Sequence, residues 1–96
     1  MELQFIDKVK NSNIAVFKDK LVRYSDMLGI NPNWLMAIME IESGCNPQAV
    51  NSVSGATGLI QFMPTTAQNL GTTTAKIKQM KGEEQLDYVY KYFKAI

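Results

Sequence analysis

Histidine is missing from this sequence altogether. Its absence removes Ser–His and Cys–His nucleophilic pairs, His-ligated zinc and the commonest general base. Cys45 is the single cysteine, so no internal disulfide forms and the fold does not depend on an oxidising compartment. One Cys and no His also leave a structural zinc site without its ligands. No stretch approaches the roughly 18 apolar residues of a membrane span. The N-terminus, Met1-Glu2-Leu3-Gln4-Phe5-Ile6-Asp7-Lys8, carries acids where a signal peptide needs a basic region, so no signal peptide is expected. An excess of charge of one sign is lacking too. Ten Lys and Arg face nine Asp and Glu, for a net charge of +1, and the cations are spread along the chain. Nothing here suggests a nucleic-acid partner. Any acid–base chemistry therefore falls to a carboxylate, a Lys or a Tyr.

What is present reads as one helical domain over residues 1–96. Leu3, Ile6 and Val9 recur at helical spacing in a short first segment. Ser12 or Asn13 caps a second helix that runs to about Leu28, with Phe17, Leu21, Tyr24 and Leu28 on one stripe and Gly29 at its end. Asn31 and Pro32 open a third helix, which Gly44 and Pro47 close. It is apolar nearly all round, which marks a buried central helix. Residues 46–58 are small and polar and read as an ordered loop. Pro64 opens a short helix ending near Gly71, and Thr72 to Thr74 cap another through Met80. The last helix starts at about Gly82 and aligns Leu86, Val89 and Phe93.

Glu42 breaks the local pattern. It lies seven residues after Leu35 and so shares the stripe of Leu35, Ile38 and Met39, which faces the core or a cleft. It also sits in the last turn, at the negative end of the helix dipole. Burial and dipole both favour the protonated acid, which is what a general acid requires. The competing reading is a glutamate at a fraying helix end, pointing into water. Glu40 lies about 200° away around the helix, so the two carboxylates do not face each other; it reads as structural, paired with a Lys or Arg. Gln61 interrupts an apolar run and bonds a substrate, Glu42 or a loop carbonyl. Cys45 reads as a small buried filler, and Tyr88, Tyr90 and Tyr92 as core and rim.

The residues Glu42-Ser43-Gly44, Asn46-Pro47, the block Gly55-Ala56-Thr57-Gly58-Leu59-Ile60-Gln61-Phe62-Met63-Pro64 and Ala67 resemble the signature of soluble lytic transglycosylases. The resemblance covers about residues 30–71. It implies a mostly α, lysozyme-like fold with a central buried helix and a substrate cleft across it. It implies Glu42 as catalytic acid and then base, with Gln61, Met63 and Ser52 at the sugar-binding site. The reaction implied is cleavage of the bond between N-acetylmuramic acid and N-acetylglucosamine in peptidoglycan glycan strands, with formation of a 1,6-anhydro sugar. No metal, cofactor or membrane insertion is needed. The family often has an aromatic residue where Cys45 stands. Its pattern also continues past Ile96 with an Ala-Tyr-Asn type motif, so the chain is expected to lack a C-terminal segment, to be a minimal variant, or to borrow the missing wall from a partner chain.

Three functions compete on the sequence alone: a peptidoglycan-cleaving enzyme, a sugar-binding or scaffold domain without activity, and a DNA-binding helix-turn-helix. The last requires a polar, basic recognition helix, whereas Trp34 to Glu42 is apolar and acidic. Between release of anhydro ends and hydrolysis as in goose-type lysozymes, the residues do not choose. Without a signal peptide, action on the cell wall fits a phage or secretion-machine component.

Overall fold

The computed structural model describes residues 2–96, which form five α-helices and no strand. The first segment departs from the helix that its spacing predicts. Only a 3-10 turn forms, at Ile6–Lys8, entered through Phe5 at φ 63°. The backbone before it is held elsewhere: Gln4 N donates to Asn33 Oδ1 at 2.8 Å, and Asn33 Nδ2 donates to Glu2 O at 3.3 Å. A segment this short does not nucleate a helix against such bonds. Leu3 is nevertheless buried.

Helix α1 spans Ile14–Leu28. Its cap is Asn13, whose Oδ1 accepts from Val16 N at 3.2 Å. Ser12 is engaged elsewhere, since its Oγ donates to Lys10 O and accepts from Gly82 N at 3.1 Å. Phe17 and Leu21 are fully buried. Gly29 ends the helix at φ 72°, in the left-handed region where glycine carries no Cβ penalty. Helix α2 is Pro32–Ser43, helix α3 Pro64–Asn69, helix α4 Thr74–Gln79 and helix α5 Gly82–Lys94. Thr73 is the residue that caps α4, accepting from Lys76 N at 3.1 Å.

Helices α1 and α5 pack side by side and run in the same direction. At their starts, Asn13 N donates to Glu83 Oε1 at 3.0 Å. Further along, Lys20 pairs with Asp87 at 3.1 Å, and Tyr24 stacks on Tyr90 with ring centroids 4.6 Å apart. Gly82 permits this closeness, because a Cβ there would collide with Ser12 Oγ and press on the Phe17 ring.

Helix α2 is central but not buried all round. Leu35, Met36 and Met39 enter the core, whereas Trp34 is 50% and Ile41 81% exposed. Its other side borders an open cleft. The core joins these residues to Phe17, Leu21, Leu59, Phe62, Ile77, Leu86 and Val89. Full burial of each large apolar side chain contributes about 1.5–3 kcal/mol. Residues 49–62 are ordered by backbone pairing: Val50 with Thr57, and Thr57 with Phe62 in both directions at 3.0 and 2.8 Å. No described helix is long and apolar enough to cross a membrane.

Candidate active site

A cleft of about 400 Å³ opens beside α2. Trp34, Ile38 and Glu42 line it at four-residue intervals, so one face of the helix forms a continuous wall. Ile60, Gln61, Phe62 and Met63 supply a second side, with Thr66 from α3. Tyr92 and Phe93 from α5 complete the lining. The aromatic rings brace one another edge to face: Trp34 on Phe93 at 5.7 Å, Tyr92 on Phe93 at 5.1 Å and Phe62 on Tyr92 at 6.4 Å. The frame is therefore apolar, with few polar groups set into it, the usual composition of a small-molecule site.

Glu42 is the only carboxylate in that lining. The expectation of burial is not met: the residue is exposed, and among the described residues its carboxylate makes no hydrogen bond or ion pair. Helix register explains the difference. Glu42 follows Ile38 by one turn and shares its cleft-facing stripe, while Leu35 and Met39 point to the core. Its place in the last turn of α2 holds, with Gly44 closing the helix at φ 62°.

Glu40 behaves as expected of a structural residue. Lys8 Nζ pairs with its Oε1 at 3.1 Å, and Cys45 Sγ donates to its Oε2 at 3.7 Å. Cys45 is fully buried, and burial, reinforced by the Glu40 charge, pushes its thiol up to about 11. An inert filler results, since the thiolate is the reactive form.

Gln61 adopts φ 59°, rare for a residue with a side chain. Its Nε2 donates to Ala49 O at 3.1 Å and to Gly58 O at 3.0 Å. Of the partners the sequence left open, the nitrogen goes to loop carbonyls. Its Oε1 accepts no bond among the described residues, so an acceptor in the cleft lining is unused. Met63 is 45% exposed at the start of α3 and also lines the cleft. Ser52 stands apart. It is exposed on a turn fixed by Asn51 Oδ1, which accepts from Val53 N and Ser54 N, and it is not part of the lining. The structure thus gathers Glu42, Gln61 and Met63 and leaves Ser52 outside.

Sequence reasoning missed several contributors. Trp34 lies eight residues before Glu42, two helical turns along the same face, and that spacing was the available signal. Ser43 Oγ lies 2.7 Å from Leu59 O and 3.1 Å from Met39 O, tying the end of α2 to the loop. Gln85, wholly buried, bonds three separate segments. Among the described residues no group of three His, Cys, Asp or Glu side chains is placed to hold a metal ion.

Residues 21–91 match the transglycosylase SLT domain. The chain belongs to the transglycosylase SLT domain family. Glu42 and the Gly55–Pro64 block both lie inside the matched range. Among curated relatives, the membrane-bound lytic murein transglycosylase C of Photorhabdus laumondii is 33% identical over 85 residues, covering 88% of this chain and 22% of that protein. The transglycosylase of Enterobacteria phage PRD1 is 39% identical over 51 residues, covering 53% of this chain and 19% of that protein. A membrane-bound lytic murein transglycosylase C of Glaesserella parasuis is 39% identical over 66 residues, 69% of this chain and 17% of its own length. The chain therefore spans about a fifth of the length of these relatives. No solved structure matches at comparable significance. An all-helical SLT domain with a cleft beside its central helix agrees with the mostly α, lysozyme-like fold that the sequence resemblance implied.

Proposed function

We propose that this domain is a peptidoglycan lytic transglycosylase that cleaves the β-1,4 bond between N-acetylmuramic acid and N-acetylglucosamine, with Glu42 as acid and then base. The observation that carries the reading is the placement of one carboxylate, without a protein partner, in an otherwise apolar and amide-lined cleft of an SLT domain. The protonated Glu42 gives its proton to the glycosidic oxygen as the bond from that oxygen to C1 of the muramic residue breaks. The resulting carboxylate takes the proton of the muramic 6-hydroxyl, whose oxygen bonds to C1. A 1,6-anhydro end forms, Glu42 is again protonated, and no water is consumed.

Gln61 Oε1 is placed to accept from a sugar hydroxyl or acetamido N–H, while Met63 and Trp34 offer apolar contact to ring faces. Ser52 contacts glycan only if the strand runs beyond the cleft and over the 51–54 turn. The substrate sets the place of action at the cell wall; the phage relative favours a phage setting, with a secretion machine as the other setting. Mass spectrometry of purified peptidoglycan digested by the chain tests the reaction. Products ending in 1,6-anhydromuramic acid support it. Reducing ends would make the domain a hydrolase. No product from folded protein would leave a binding domain, or one that needs a further segment or partner chain.

A further inference from the structure

The geometry points to Gln85 as a positioning residue that holds the Glu42 and Gln61 sides of the cleft in register; this rests on the glycan-cleaving reading above. Gln85 does not line the cleft. Its side chain is wholly buried and makes three hydrogen bonds: Oε1 accepts from Leu59 N at 2.9 Å, and Nε2 donates to Pro47 O at 2.6 Å and to Ile77 O at 2.9 Å. The partners lie in the loop after α2, in the turn that leads to Gln61, and in α4.

The Gly58–Leu59 peptide is where this matters. Its N–H is held by Gln85, and its carbonyl, Gly58 O, accepts from Gln61 Nε2 at 3.0 Å. Gln85 thus fixes the plane of the peptide on which the Gln61 side chain hangs. The next carbonyl, Leu59 O, lies 2.7 Å from the hydroxyl of Ser43, the residue after Glu42. Two successive peptides, Gly58–Leu59 and Leu59–Ile60, therefore connect the buried amide to both sides of the site. Gly58 accommodates the approach: at φ 92°, a Cβ would stand 2.7 Å from Gln85 Oε1. An apolar side chain of similar volume would fill the same space but leave the buried Leu59 N–H and the Pro47 and Ile77 carbonyls without their partner, at a cost in stability. It would also lose the orientation of the Gly58–Leu59 peptide, and small misplacements of reacting groups are costly in rate.

Two variants test the link from opposite ends. Gln85→Met keeps the length and removes the polar atoms. Ser43→Ala touches the same junction from a partly exposed position with little risk to folding. Both are assayed on soluble uncrosslinked glycan strands, well below their melting temperatures. Each is expected to lower kcat about tenfold with KM within about twofold, and the double variant is expected to fall no further than the worse single. Unchanged kcat in folded protein, an effect confined to KM, or multiplicative losses would overturn the proposal. If Gln85→Met does not fold, Ser43→Ala decides by the same split. If the wild-type chain releases no product, the reading of this chain as an enzyme active on its own fails on that control. Gln85 is then judged by NMR: loss of Leu59 amide protection and of the hydrogen-bonded Gln61 side-chain signals in folded Gln85→Met sustains the positioning role, and their retention overturns it.

Discussion

Gly58→Ala should be among the most damaging small substitutions in the chain. Two separate costs meet there. Gly58 adopts φ 92°, where an L side chain is strained by about 1–3 kcal/mol. Its Cβ would also lie 2.7 Å from Gln85 Oε1 and 2.9 Å from Ile77 Cγ2, both in the buried interior. Overpacking of that kind costs about another 1–3 kcal/mol. The sum, about 2–6 kcal/mol, is a large part of the ordinary stability of a small domain. Gly71→Ala separates the two costs, because Gly71 has a similar φ of 84° but nothing within 4 Å of the Cβ position. Urea denaturation of the two variants, with equal m-values, measures the difference directly. Gly58→Ala should be less stable than Gly71→Ala by at least about 1 kcal/mol. Equal losses would refute the claim that close approach to Gln85 requires this glycine.

Other outcomes follow from the same structure. Cys45, fully buried with its thiol pushed up to about 11, should resist iodoacetamide at pH 8 in the native state and react once urea unfolds the chain; fast native labelling would contradict its placement. The Tyr24 hydroxyl is raised above the usual tyrosine range, chiefly by donating to Asp87. Because the raised pKa belongs to the folded state, the stabilisation is fully present below about pH 10 and is lost as pH rises through the folded value. The stability difference between wild type and Tyr24→Phe should therefore shrink on alkaline titration, and a constant difference would count against the bond. Trp34, the only tryptophan, is half exposed in the cleft. Its fluorescence should change on addition of glycan strands and saturate with them, whereas an indifferent signal would mean that strands bind elsewhere.

Helix ends were the most legible part of the sequence. Asn31, Pro32, Gly29 and Gly44 act through local backbone geometry, and each stands where capping chemistry puts it. The first segment was misread because the pull of Asn33 on residues 2–4 is a contact across about thirty positions that periodicity does not contain. The stripe on α2 was misread for a related reason. Leu35 and Trp34 are adjacent and both apolar, so which of the two faces the core is decided by what packs against the helix. That choice moved Glu42 from a buried position to the rim of a cleft. Gln85 was invisible because nothing local distinguishes a buried amide hub from an ordinary surface glutamine.

The central claim is that Glu42 carries the proton. Its most direct test is the rate of product release from peptidoglycan by wild type and by Glu42→Gln, with glycan binding followed through Trp34. Glutamine keeps the shape of the side chain and cannot give or take the proton. Binding should survive while the rate falls by about 10²- to 10⁴-fold. A variant that binds and cleaves as the wild type does would contradict the account.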